Sequence, residues 1–350
     1  MPPTQPVPEP AARLTVDTAA IAANWRAFAA ASGSAACGAA VKADGYGLGA
    51  RPAVDALVAA GCRDLFVASW AEAAALGELP DGVRIAVLHG VMPHEMAVAL
   101  ASKAVPVLVT PAQVAAWRAT GRPCDVMVDT GMNRLGLSPA DALSGLLDGL
   151  AIDTLHSHLA CAEHPGHPLN AAQVAAFAEV ARRLPARRRA LANSAGVGLG
   201  GDYLFDLTRP GLGLYGGGRG LGATPLTPVV AIEARIVQVR EVVEGDSVGY
   251  GATFVADRPV RLAIAALGYA DGYVPALSNV GTARIGGVCC PVAGRISMDL
   301  TAFDVTAAPD VAEGDWLSVD FDLNAVSRLT GRSQYELLTG LGHRYSRTYR

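Results

Sequence analysis

The chain has 350 residues, 51% of them hydrophobic and 17% charged, enough for a sizeable core and, by the usual size of domains, for two of them unless the larger is an α/β barrel. Its formal net charge of −4 argues against nucleic acid or an anionic membrane as the main partner, since both select a basic face. A small-molecule enzyme fits better.

The N-terminus, Met1 to Ala12, is rich in proline and lacks the basic and apolar regions of a secretory signal. Residues 1–13 read as an N-terminal extension expected to pack on the C-terminal domain. No run reaches the roughly 18 apolar residues of a membrane span. The six cysteines are scattered with no C-x-x-C spacing, which predicts reduced thiols in a cytoplasmic protein and no metal site.

Leu14 to Val16 reads as a strand, and Asp17 as the cap of a helix whose Ile21, Trp25 and Phe28 share one face. Short apolar runs then begin near Gly38, Asp64, Arg84, Val105, Asp125, Ile152, Arg189 and Phe205. Most are followed by an alanine-rich amphipathic stretch, several opening on proline, which suits a first helical turn. Eight such units predict a (β/α)8 barrel over residues 14–226. Its chemistry is expected at the C-terminal strand ends, where Lys42, Asp129 to Arg134, His156 to His158, Asn193-Ser194 and Arg209 to Gly211 lie. Gly211 to Gly216 spells G-x-G-x-x-G, but glycines fill the place of the helix that a dinucleotide site needs. Beyond residue 227 short β-branched runs separated by Gly, Asp and Pro predict a mostly-β C-terminal domain, 227–350, with one late helix at Asn324 to Thr330.

Lys42 closes the first barrel run and is followed by Ala43-Asp44-Gly45-Tyr46-Gly47-Leu48-Gly49. A lysine at a strand end most often snorkels to solvent. Glycines behind it allow close backbone approach to a ligand. With its pKa lowered, such a lysine acts as a base or forms a Schiff base. The Ser194 hydroxyl, the N–H groups of Gly211 and Leu212 and the Tyr46 hydroxyl together suggest a phosphate cradle. A lysine beside such a cradle points to pyridoxal phosphate, with an aldolase-like lysine enzyme as the competing reading.

The run Ala40 to Gly49 resembles the cofactor-lysine motif of the alanine racemase family, barrel-type pyridoxal-phosphate enzymes. The likeness continues through Asp129 to Gly136, His156-Ser157-His158, Asn193-Ser194, Arg209-Pro210-Gly211, Ser247 to Thr253, Gly268 to Gly272 and Gly294 to Asp299. It spans nearly the whole chain in order. The resemblance implies that Lys42 holds pyridoxal 5'-phosphate and exchanges a proton on one face of the substrate α-carbon. Tyr250, reaching the site from the partner subunit of a homodimer, is implied to serve the other face. Racemisation needs two such bases, because a proton leaves one face and returns on the other. Arg209 is implied to face the pyridine nitrogen, and its very high pKa prevents it from giving that nitrogen a proton. His158 is implied to sit between Tyr250 and Arg209, with Asn193, Ser194, Gly211, Leu212 and Tyr46 around the cofactor. Arg134 and the Met298 backbone are implied to hold the substrate carboxylate, with Tyr269 lining the entrance and Asp299 supporting it.

The chain departs from the family pattern in three places. Many members carry a carboxylated lysine two residues before the aspartate of Asp129-Thr-Gly-Met, where it orients the arginine; here Met127 stands there. Arg134 is therefore expected to find another anion or to be held less tightly. Ala190 replaces a histidine, and His343 replaces a gate tyrosine or proline. The expected reaction is interconversion of L- and D-alanine, supplying peptidoglycan or alanine catabolism. The alternatives are a racemase with serine or broader preference, and a non-racemising pyridoxal-phosphate enzyme or binding protein of the same fold.

Overall fold

The computed structural model describes residues 9–222 and 225–350. Two compact units emerge, Thr18–Thr227 and Pro228–Arg350, the second joined by the N-terminal segment up to Asp17. Residues 1–8 of the expected extension lie outside the described residues.

In the first unit a parallel barrel runs through β2 (Ala36–Cys37) and β3 (Ala39–Ala40), β4 (Asp64–Val67), β5 (Arg84–Val87), β6 (Val105–Leu108), β7 (Cys124–Met127), β8 (Ile152–His156), β9 (Arg188–Ala190) and β10 (Leu207–Thr208). Strands β3 to β9 pair in sequence order. The ring closes because β10 pairs with β2 while its flanks donate to β9 and the residues after it, Asp206 N to Arg189 O at 3.0 Å and Arg209 N to Ala192 O at 2.8 Å. Strands β2 and β3 are one strand interrupted at Gly38, where a Cβ would stand 2.7 Å from Asp64 O and from the Phe66 ring. Leu65, Phe66, Val67, Ala86, Val87, Val107, Leu108, Val126 and Leu155 are buried, as strands covered on both faces require. The outer helices start where hydroxyl side chains cap them. Thr110 accepts from Gln113 N ahead of Pro111–Arg118, and Ser138 from Asp141 N ahead of Pro139–Leu143. In each, proline fills the first turn, where no donor is needed.

The N-terminal ends of the barrel strands carry charges that sequence periodicity did not single out. Arg188 pairs with Asp64 at 2.7 Å and with Asp153 at 3.0 Å, and Arg84 joins Asp153 to Asp125. Asp125 is fully buried and also meets His156 Nε2 at 2.9 Å. Buried charges persist only when paired in this way.

The second unit is a mostly antiparallel sheet around β11 (Val230–Val242), whose register shifts between Ile236 and Gln238. One departure from the sequence reading lies here. The strand at Leu14 to Val16, expected to open the barrel domain, belongs to β1 (Ala12–Val16) of this sheet, antiparallel to β11 and parallel to Ser346–Tyr349. Its alternating buried and half-buried residues fit a strand in either domain, so local pattern does not choose the partner. A second late helix, Gln334–Thr339, follows Leu323–Thr330 and is capped by Ser333. Val242, Val248, Ala256, Val260, Leu262 and Ala293 form a core cluster with Phe254 packed against it.

Candidate active site

Lys42 follows β3 after one residue, Val41, and is half-buried. The chain then makes a left-handed turn, with φ of 53°, 52°, 61° and 58° at Ala43, Asp44, Gly45 and Tyr46. Three of these residues are not glycine, and each L-residue in this conformation costs about 1–2 kcal/mol. The turn is held from outside and within. Glu72 Oε1 accepts the Ala43 N–H at 2.9 Å, while Glu72 Oε2 accepts the Ala68 N–H at 2.6 Å. Asp44 Oδ1 accepts the Ala50 N–H at 2.8 Å. Tyr46 stacks on Tyr215 with ring centroids 4.7 Å apart, and the Tyr215 hydroxyl donates to Ala40 O at 3.1 Å.

The Tyr46 hydroxyl reaches Gly211. A Cβ there would sit 2.1 Å from it. Ser194 Oγ accepts the N–H groups of Gly211 at 2.9 Å and Gly213 at 3.1 Å. Two backbone donors thus converge on one hydroxyl beside a phenol. The Gly213 N–H bond to Ser194 is a contact that sequence reasoning did not single out. Asn193 serves as a helix cap, its Oδ1 accepting from Gly196 N at 2.8 Å.

Arg209 is buried in the same unit. Its guanidinium donates to the carbonyls of Ser157 and Leu191 and lies 5.8 Å from the Phe66 ring centroid. Its Nε has no hydrogen-bond partner among the described residues. Burial lowers its pKa to about 10, against the opposing pull of Asp125, so the group is a cation at neutral pH. His158 lowers to about 3 through burial and the charges of Arg209, Arg134 and Lys42, which makes it a neutral imidazole. Lys42 is itself lowered, by burial first and then by Arg134 and Arg209, with Glu72 acting in the opposite sense. Lys42, Arg134 and Arg209, with the neutral His158 beside them, therefore form one electropositive group able to receive an anion, and the two arginines ease loss of the lysine's proton.

Arg134 is carried by a loop built around Asp129. Its Oδ1 accepts the N–H groups of Gly131, Met132 and Asn133 at 2.9–3.0 Å, and its Oδ2 that of Arg134 at 2.8 Å. Burial pushes the Asp129 carboxyl up, but these donors outweigh it and hold it below the usual range. The Arg134 side chain is exposed and makes no ion pair among the described residues. Met127 is buried at the end of β7, opposite His156.

The remaining expected residues lie in the second unit. Tyr250 is 72% exposed, in a short turn, Tyr250–Ala252, braced from below. A Cβ on Gly294 would meet Val248 O at 2.4 Å. Asn279 ties the two loops, donating to Thr253 Oγ1 at 3.2 Å and accepting from Gly294 N at 2.6 Å. Tyr269 and Met298 are brought together, since Ser297 O accepts from Tyr269 N and Met298 O from Ala270 N, both at 3.0 Å. The Met298 N–H has no acceptor among the described residues. Asp299 pairs with Arg344, a residue outside the sequence-derived set.

Two family models cover these units, the alanine racemase N-terminal domain over residues 16–218 and the alanine racemase C-terminal domain over residues 229–349. The chain belongs to the alanine racemase family. It is 45% identical to an alanine racemase of Acidiphilium cryptum over 95% of this chain and 97% of that one. It is 46% identical to one of Rhizobium meliloti over 96% of each. Among solved structures it matches the alanine racemase of Bartonella henselae with covalently bound pyridoxal phosphate, at TM-score 0.90 and 38% identity, covering 98% of this chain and 100% of that one. The (β/α)8 barrel with a C-terminal mostly-β domain is the family's architecture. No helix among the described residues is long and apolar enough to cross a membrane.

Proposed function

We propose that the protein is a pyridoxal-phosphate-dependent alanine racemase interconverting L- and D-alanine. The observation that carries this reading is Lys42, half-buried at a barrel strand end, in one electropositive group with Arg209 and Arg134 and a turn away from the Tyr46–Ser194–Gly211 cradle. The residues fit the cofactor. The absence of a side chain at Gly211 is what lets the Tyr46 hydroxyl stand beside Ser194, and the buried Arg209 Nε lacks a partner among the described residues.

When bound, the cofactor supplies an electron sink that acidifies the α-hydrogen of an attached amino acid. Ser194 Oγ, the Gly211 and Leu212 N–H groups and the Tyr46 hydroxyl would hold its phosphate. Arg209 would face the ring nitrogen as a cation at neutral pH and give it no proton. Arg134 and the Met298 N–H hold the substrate carboxylate, with Tyr269 and Asp299 at the entrance. Lys42 Nζ moves the α-proton on one face and Tyr250 Oη on the other.

Tyr250 acts across the interface of a homodimer. A large aromatic left 72% exposed on a braced turn is what such an interface would cover. The enzyme is cytoplasmic, and its D-alanine serves peptidoglycan or alanine catabolism.

The test is to incubate purified protein with either enantiomer in deuterated water and follow the α-proton and optical rotation. Exchange with racemisation is expected. Release of carbon dioxide or ammonia, or no turnover, overturns the reading. A monomeric variant is expected to lose activity while retaining cofactor absorbance, and a fully active monomer would sink the dimer.

A further inference from the structure

Arg344 stands apart from every motif read in the sequence. Its Nε and one terminal nitrogen each donate to Asp271 at 2.8 Å, and its other terminal nitrogen donates to Asp299 Oδ1 at 2.6 Å. One guanidinium therefore bridges two loops 28 positions apart. Such a planar fork holds two carboxylates at fixed angles, which an ammonium cannot do.

Each end of this bridge is fastened. Asp271 is 2% exposed and accepts the Gly268 N–H at 3.0 Å, closing the turn that carries Tyr269. Its backbone O accepts the hydroxyl of buried Tyr345 at 2.8 Å. The turn and the C-terminal segment also touch through glycines. A Cβ on Gly272 would lie 2.6 Å from Gly340 O, and one on Gly342 would lie 2.6 Å from Ala270 O. Beyond Tyr345, Ser346–Tyr349 pairs with β1, so Arg344 projects from an anchored base. On the other loop, Asp299 follows Met298, whose carbonyl would be 2.3 Å from a Cβ on Gly268. The segments 268–273, 297–299 and 340–345 form one block. The arm to Asp271 is buried at the carboxylate, whereas Arg344 and Asp299 are 49% and 58% exposed. An exposed pair adds little to stability, so the second arm is better explained by what it positions.

We propose that Arg344 is a positioning residue for substrate, acting through Asp299 and Asp271 to hold the Met298 backbone N–H and the Tyr269 side chain in a fixed relation. This rests on the functional reading above and adds a residue that no part of that reading requires. Arg344 does not itself touch substrate.

The test compares cofactor-loaded wild type with Arg344→Gln, Arg344→Lys, Asp299→Asn and the Arg344→Gln/Asp299→Asn double variant. For Arg344→Gln, hydrogen exchange at the Tyr269 and Ala270 amides is expected to accelerate roughly tenfold, with KM for alanine rising about tenfold and kcat staying within about threefold. If Arg344 acts through Asp299, the double variant raises KM no further than Arg344→Gln alone, because the two changes remove one interaction. Unchanged amide exchange, a fall in kcat at constant KM, or multiplicative effects in the double variant would each overturn the proposal. Should Arg344→Gln fail to fold, Arg344→Lys carries the test, with the same directions and smaller size. If wild type turns over no alanine the functional reading fails, while amide exchange still decides whether Arg344 holds the block.

Discussion

The Tyr46 hydroxyl occupies the space that a side chain at Gly211 would need, 2.1 Å from the Cβ position. Proximity alone is enough to require a glycine at 211, whose φ of −134° is not left-handed. Gly211→Ala is expected to fold normally and to displace the phenol from the cradle. Retention of pyridoxal phosphate through dialysis, read by absorbance, should weaken at least about tenfold, the loss of one good charge-assisted contact. Unaltered retention would show that the phenol plays no part in holding the phosphate.

Glu72 is the counterpart of the left-handed turn after Lys42, accepting the Ala43 and Ala68 N–H groups with its two oxygens. In Glu72→Gln one of those oxygens becomes an NH2 that meets a donor. A loss of about 1 kcal/mol is expected from one spoiled hydrogen bond, or a fall of about 2–4 °C in Tm for a domain of this size. Because the turn aims Lys42, kcat should fall about tenfold as well, as misplacement of a reacting group does. Calorimetry and steady-state kinetics on the same preparation check both.

The barrel-bottom network predicts an acid-sensitive contribution to stability. Burial raises the Asp153 carboxyl, but Arg84, Thr154, Arg187 and Arg188 outweigh it and bring it to about 2, below the roughly 3.9 of an unfolded aspartate. The unfolded chain therefore binds the proton first. The stabilisation is complete above about pH 4 and is lost as pH falls toward 2. Denaturant unfolding of wild type and Asp153→Asn should differ most at pH 5 and converge by about pH 2.

Met127 is buried at the strand end that precedes the Arg134 loop. A thioether has no amine for carbon dioxide to modify, and the loop geometry comes instead from Asp129 and its four N–H donors. Activity is expected to be indifferent to added bicarbonate. A clear stimulation in an assay at fixed pH would contradict this.

What the chain declared by itself was local. Apolar runs at the right lengths placed all eight barrel strands, because hydrophobic periodicity reports the state of the backbone over a few residues. Lys42 with its following glycines stood out as a candidate in the same way, because the motif is contiguous. Three features came only from the tertiary structure: the membership of β1 in the second unit's sheet, the linked charges of Asp64, Arg84, Asp125, Asp153 and Arg188, and the Arg344 bridge. A strand's pattern says which face is buried but not which strand lies beside it. A charge likewise looks solvated until folding brings its partner close, as it brings Arg344 to Asp271 across 73 positions. Pairing across such distances is settled by which segments the fold brings together, and no short window of sequence carries that information.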